Sequence, residues 1–499
     1  MRRADALTAG AMALGPWALT AWLSRRVVTD YWHGLLTLSN AVRVGGAGLD
    51  VLPATVRPAG ASLLLAPMLS AVYSRGGPFA ALFCSRLAMT GCFGALVAAT
   101  YLFVRPRAGR AAAAAAAICL AADPLALRCA PFALFDIAAG LASVAFFSAA
   151  WRSSDEPTPG NRRLCALAYA AAVATRFHLA ILIVAPLAWR LAEARPGNRA
   201  VILRDRLWPA LLAAGGAAAV ATVFITFKVK ASWADAIART WRWSIFLVME
   251  NLVHPRNPSP RSTYLIGLAR ELGPRWSCLA LAGAAVWIVR RRREDARLAI
   301  CLATPLTLMS LAIGNRDPRY ALCFVPLVYA ALGTGVQEAL RALAPGARWR
   351  PLLAAAAAIS LAPWQAVSGA LWALANDPAL HSPIFADFAR EAASLAPGDC
   401  IGWIGRGISI PGSPEDVAIS LRGIYAGDLS LAFYSPRRIK VLGGGESSDS
   451  CPVSLIVSVR RGTDGPLARL YRPLEPINSP KWRDASVTED GIVARGVSP

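Results

Sequence analysis

Asp30 is an acid placed for chemistry. The first apolar run, residues 6–24, has just ended, and the carboxylate follows within about one or two helical turns. Arg25, Arg26, Tyr31, Trp32 and His33 surround it, and the loop beyond carries Arg43, Asp50 and Arg57-Pro58. Carboxylate, imidazole and guanidinium groups gathered at a helix mouth can take a proton from a hydroxyl and neutralise an anionic leaving group. The same residue types recur at the ends of later apolar runs: Asp123 and Asp136, then Arg176 and His178, then Arg319-Tyr320. The plainer reading of each is a solvated or salt-bridged loop residue, and the functional reading stands beside it.

These residues need elements to position them, and composition says which. The chain has 499 residues, of which 56% are hydrophobic and 16% charged, with a mean hydropathy of +0.45. Many apolar runs approach the roughly 18–20 residues that cross a bilayer, so the expected class is an all-α polytopic membrane protein. The net charge of +22 does not indicate nucleic acid, because the basic residues form short clusters between apolar runs rather than one patch. The expected spans are residues 6–24, 79–104, 111–126, 135–151, 164–174, 179–191, 207–227, 276–289, 298–313, 320–340 and 352–372.

With about eleven crossings, six basic groups fall on the cytoplasmic side. They are Arg2-Arg3, Arg105 with Arg107 and Arg110, Arg152 with Arg162 and Arg163, and the groups within residues 190–206, 290–297 and 341–350. The N-terminus is then inside and the C-terminus outside; Arg25-Arg26 breaks the pattern. Parity makes the apolar segment 58–74 an outer interfacial helix rather than a span. It also makes residues 164–191 a hairpin with Arg176-Phe177-His178 near its tip. The outer face thus collects Asp30, His33, Arg43, Asp50, Arg57, Asp123, Asp136, Arg176, His178, a long loop at 228–273 and the loop 314–320.

From Asp377 the apolar runs shorten. Residues 400–404, 432–434 and 453–459 read as strands and 414–421 as a short helix. The chain therefore divides into a membrane domain, residues 1–376, and a small α/β soluble domain on the outer side, residues 377–499. Cys400 and Cys451 could form a disulfide there, whereas the other eight cysteines lie in or next to apolar spans as packing residues. No phosphate-binding or dinucleotide-binding glycine loop and no paired-histidine metal motif occurs. The basic, apolar N-terminus reads as a signal anchor.

Several motifs in order resemble the membrane glycosyltransferases of the C superfold, especially those similar to glycosyltransferase family 39. Thr29-Asp30-Tyr31 stands where that group carries an acid pair after its first helix. Arg57-Pro58-Ala59-Gly60, with Leu63 to Pro67, is similar to its basic-Pro-Pro-Leu stretch. Ser85-Arg86-Leu87, Asp136 after Pro131, Ala174-Thr175-Arg176, and Arg319-Tyr320 with Pro326 complete the series. The resemblance covers about residues 1–340. Tyr31 replaces the second acid, and the second Pro and the Leu of the basic stretch are missing.

The resemblance implies an inverting transfer of a sugar from a polyprenyl phosphate to an acceptor hydroxyl at the outer face of the bacterial inner membrane. The acceptor would be a lipid, a glycan or a protein. Asp30 would be the base, and Asp136 would orient the acceptor or hold an arginine. Arg57, Arg176 and Arg319 would meet the lipid phosphate, with His178 and Tyr320 as further substrate contacts. No cofactor, no obligatory divalent metal and no nucleic-acid partner is expected. A transporter or flippase of lipid-linked glycans, or a non-catalytic membrane scaffold, would share the composition.

Overall fold

Helix ends in this chain are set by Pro, Gly and short polar caps rather than by a loss of hydrophobicity. The computed structural model describes residues 3–25, 38, 41–42, 60–132, 135–227, 263–290, 292–312, 318–343, 349–360, 367, 384–395, 399–404, 438–442, 453–459, 482–488 and 491–496. Asp30, His33, Arg43, Asp50 and Arg57 lie outside them, as do most of the loop at 228–273, the expected strand 432–434 and the expected helix 414–421.

The helices in chain order are α1 (Arg3–Ser24), α2 (Gly60–Ala108), α3 (Arg110–Ala121), α4 (Pro124–Cys129), α5 (Asp136–Asp155), α6 (Pro159–Thr175), α7 (Val184–Glu193), α8 (Arg199–Leu203) and α9 (Leu207–Phe227). They continue with α10 (Thr263–Arg290), α11 (Arg293–Ala312), α12 (Val325–Leu343), α13 (Arg350–Ser360) and α14 (Ile384–Ala393). Two 3-10 segments, Phe177–Ile183 and Pro318–Cys323, precede α7 and α12. Among the described residues, three helices are long and apolar enough to cross a membrane: Arg3–Ser24, Ser62–Ala108 and Leu272–Arg290.

Four expected boundaries shift, each for a local reason. The span expected at 111–126 stops at Ala121, because Asp123 and Pro124 start a new helix; the Asp123 carboxylate accepts from Ala126 N at 2.6 Å. The arm expected from residue 179 begins as an α-helix only at Val184, after the 3-10 turn. Pro318 opens the second 3-10 segment, so the helix expected from residue 320 starts at Val325. Residues 263–272, expected as loop, are helical, and Gly273 (φ 74°) before Pro274 breaks them from the apolar part of α10. A similar break at Gly77 (φ 75°) falls between the segments expected at 58–74 and 79–104.

Two compact units result. The first comprises Met1–Trp22, Ala88–Phe224 and Val229–Ala373, and the second Leu23–Leu87, Ile225–Lys228 and Leu374–Pro499. In the first, α12 packs between α3 and α10, and at its glycines the backbones come into direct contact. A Cβ added at Gly333 would sit 2.2 Å from Ala112 O, and one at Gly283 would sit 1.7 Å from Ala331 O. Helices in an apolar medium associate through such close backbone approach, since lipid supplies no hydrophobic drive between them.

One end of the first unit gathers the basic clusters and ties them with acids. Asp5 takes Arg105 at 2.6 Å and Arg110 at 3.6 Å. Arg297, its side chain 1% exposed, donates to Glu193 and, at 2.8 Å, to Asp155. Arg290 and Arg341 share Glu338, and the Arg107 guanidinium stacks on Phe103 and Trp151. Asp205 takes both Arg190 at 2.7 Å and Arg162 at 3.7 Å. Because Arg162 opens α6 and Arg190 is near the end of α7, this contact closes the hairpin expected over residues 164–191. Tyr169 Oη, which donates to Ala180 O at 2.7 Å, ties the tip back to α6.

Among the described residues, the second unit contains five strands: β1 (Cys400–Ile404), β2 (Arg438–Leu442), β3 (Val453–Val459), β4 (Trp482–Thr488) and β5 (Gly491–Gly496). Their order in the sheet is β2-β1-β3-β5-β4. β1 runs parallel to β2 and β3, β5 antiparallel to β3 and β4, and α14 packs on β3, β4 and β5. The strands expected at 400–404 and 453–459 are β1 and β3. Cys400 is disulfide-bonded; its expected partner, Cys451, lies outside the described residues. In the same unit Arg86, 3% exposed, donates to Ser24 O at 3.3 Å.

Candidate functional site

The end of the first unit opposite the arginine network is where α5 begins and α6 finishes. α5 is 20 residues long, so its first residue, Asp136, is about 30 Å from the acids and arginines at its far end. Thr158 fixes the start of α6 by accepting from Asn161 N at 3.2 Å, with Pro159 in the first turn. The helix runs to Thr175, and Arg176 leaves it in an extended conformation (φ −151°, ψ 120°).

Arg176 Nη2 then donates to Asp136 Oδ1 at 2.6 Å. The acid side chain is 2% exposed and the arginine 15%. Asp136 occupies the first turn of α5, where the free N–H groups of the helix favour a carboxylate. The second 3-10 segment supplies a third wall. Its Tyr320 ring lies 5.5 Å from the Arg176 guanidinium carbon, and the His178 ring meets it edge-on at 5.5 Å. Gly140, one turn beyond Asp136, allows this approach: an added Cβ there would sit 3.2 Å from Leu322 O. Cys323 Sγ donates to Tyr320 O at 2.9 Å and steadies the turn.

Four of the expected site residues, Asp136, Arg176, His178 and Tyr320, therefore form one cluster. Arg319 is half-buried and precedes Tyr320 on the same segment. Asp30 and Arg57 fall outside the described residues. Within the cluster, Asp136 Oδ2, Arg176 Nε and His178 Nε2 are enclosed and have no hydrogen-bond partner among the described residues. Burial, and secondly the positive charge of Arg176, holds the His178 imidazole down to about 3, so it is neutral at ordinary pH. An open carboxylate oxygen beside a guanidinium N–H and a neutral imidazole suits a hydroxyl-bearing ligand, which both donates and accepts.

The sequence matches no family model and no curated protein. Solved structures do match. ArnT from Cupriavidus metallidurans bound to undecaprenyl phosphate superposes with a TM-score of 0.63 and 14% identity, covering 99% of this chain and 98% of that one. Its apo form gives a TM-score of 0.60 over 98% and 97% of the two chains, also at 14% identity. The archaeal oligosaccharyltransferase AglB from Archaeoglobus fulgidus, in complex with an inhibitory peptide and a dolichol-phosphate, gives 0.53 at 13% identity, covering 90% and 69%.

The fold is that of the C-superfold membrane glycosyltransferases.

In this fold, Asp123 has a structural part that its position at a span end does not reveal. Besides capping α4 it accepts from Tyr329 Oη at 2.6 Å, which locks α4 to α12. Trp276 closes over Tyr329 edge-on at 5.7 Å. Sequence reading placed Asp123 among the outer-face acids; the signal for its structural use is the Asp-Pro pair, which marks an N-cap followed by a first helical turn. Gly140 gave no signal at all. Among the described residues, no three His, Cys, Asp or Glu side chains come together as metal ligands.

Proposed function

We propose that this chain is an inverting glycosyltransferase that moves a sugar from a polyprenyl phosphate to an acceptor hydroxyl. The observation that carries the reading is the fold: ArnT, bound to undecaprenyl phosphate, aligns with this chain over nearly the whole of both. The buried Asp136–Arg176 pair, set about 30 Å from the arginine network, agrees with a site at one membrane face. On this reading the arginine end is cytoplasmic, the chain crosses about eleven times, and the cluster opens to the outer side of a bacterial inner membrane. Residues 377–499 then form an extracytoplasmic domain.

The chemistry follows from charge. The acceptor hydroxyl attacks the anomeric carbon as the lipid phosphate leaves. Asp30 takes the hydroxyl proton, and a single carboxylate on the attacking side gives inversion. Asp136 orients the acceptor through its open Oδ2 and keeps Arg176 in place through Oδ1. Arg57 and Arg319, with the spare Nε of Arg176, oppose the charge that grows on the departing phosphate. His178 and Tyr320 bound the sugar or acceptor pocket. The acceptor is a lipid, glycan or protein hydroxyl.

Transfer of radiolabelled sugar from a panel of polyprenyl-phosphate sugars to envelope acceptors tests the reading, with membranes carrying wild type or Asp30→Asn. Transfer by wild type and its loss in the variant at equal expression is the expected result. Transfer that survives moves the base to Asp136. Absence of transfer from every donor counts against the enzyme class.

A further inference from the structure

The segment joining α7 to α9 at the arginine end is fixed from within and adhesive on its outside. Asp205 accepts from Arg190 at 2.7 Å and from Leu207 N at 3.0 Å, and lies 3.7 Å from Arg162. Trp208 Nε1 donates to Ile202 O at 2.6 Å, and the Arg190 guanidinium lies 5.3 Å from the Trp208 ring. Asp205 is the one acid in residues 194–206 and is already committed to two arginines. Arg195, Arg199, Arg204 and Arg206 are exposed and have no acidic partner among the described residues. Between them Val201 is 68% exposed and Leu203 57%.

Exposed aliphatic side chains ringed by unpaired arginines are poorly suited to water and well suited to the boundary between headgroups and acyl chains. The guanidinium fork matches phosphate oxygens, and the segment has no spare carboxylate to repel them. We propose that residues 195–206 are a docking surface for anionic phospholipid headgroups. Arg199 and Arg204, at either end of α8, hold the phosphates, and Val201 and Leu203 enter the acyl boundary. Because Asp205 and Trp208 hold the backbone, the surface is formed before lipid arrives. This inference rests on the membrane reading of the helices and is independent of the transferase reading.

The test uses the full-length protein in phosphatidylcholine nanodiscs with and without phosphatidylglycerol, read by native mass spectrometry of retained lipid and by thermal unfolding. Phosphatidylglycerol is expected to be retained and to stabilise the wild type. Each arginine near an anionic surface contributes about fivefold in affinity, so Arg199→Gln with Arg204→Gln should weaken retention about thirtyfold. Arg270→Gln removes the same charge near the other end of α10 and should leave retention unchanged. Replacing Val201 and Leu203 by Ser should weaken retention of both lipids. Equal retention by the double arginine variant overturns the proposal, as does an equal loss in Arg270→Gln. Stabilisation by inorganic phosphate alone to the same degree would assign a small-anion site instead. Loss of a protein dimer rather than of lipid would assign the surface to a second copy.

Discussion

Asp136→Asn removes the charge from a carboxylate that is 2% exposed and strands the guanidinium of Arg176, 2.6 Å away. Breaking a buried pair by removing one partner costs about 3–5 kcal/mol. The Arg176 side chain is 15% exposed, so water reaches part of the stranded charge, and we expect about 2–3 kcal/mol. Arg176→Gln should cost less. The Gln amide can still donate to the carboxylate, whereas Asp136→Asn leaves a fixed guanidinium charge unpaired. Combining the two substitutions leaves two neutral amides that can still hydrogen-bond, so most of the stability should return, with a coupling of about 3 kcal/mol. Equilibrium unfolding in mixed micelles of wild type, both single variants and the double variant measures this cycle. Costs that simply add, to within about 0.5 kcal/mol, would refute the pairing as an energetic unit. Sugar transfer by the same four proteins separates two roles. A double variant that is stable but inactive gives the pair a direct substrate contact, and one that recovers transfer makes both members positioning residues only.

Arg297→Met leaves Glu193 and Asp155 with Arg293 alone and should lower stability by about 3 kcal/mol in the same unfolding assay. Gly283→Ala places a Cβ 1.7 Å from Ala331 O and should cost about 3 kcal/mol or abolish monodisperse expression. Gly216→Ala, with nothing within 4 Å, should be neutral or slightly stabilising, and size-exclusion profiles compare the two. His178 is held neutral down to about 3 in the folded protein, whereas the unfolded chain takes up its proton near pH 6.5. Stability should therefore fall as pH drops below about 6.5, and His178→Gln should flatten that slope in pH-dependent melting.

Helices with one long apolar stretch were legible from the sequence. α9 begins and ends at the expected residues, 207 and 227, because it is continuous, uncharged and flanked by arginine or polar residues. β1 and β3 were also legible, as β-branched runs between turn residues. Boundaries that depend on a tertiary partner were not. Asp123 stops α3 because its carboxylate serves both Ala126 N and the hydroxyl of Tyr329, more than two hundred residues away. Residues 263–272 carry Arg270 and Glu271 and look like loop, yet they continue as helix up to Gly273. Asp136 and Arg176 were each legible as candidates at span ends. That they touch follows from the antiparallel packing of α5 and α6, which sets the start of one helix beside the end of the other, and no local pattern encodes it.

The closest approaches of α12 to α3 and α10 are built from alanine and glycine. Ala111–Ala117 are buried as a block, and Gly333, Gly335 and Gly283 sit against opposing carbonyls. Such residues have no rotamers to lose on assembly and none to exchange afterwards. Three helices joined this way act as a stator. At those approaches there is no side chain to repack when a ligand arrives, which favours a constant spacing of α4 and the Pro318–Cys323 turn. Adjustment to a ligand then falls to the larger side chains of the cluster, chiefly Arg176, His178 and Tyr320, whose torsions are the free coordinates at that end of the bundle.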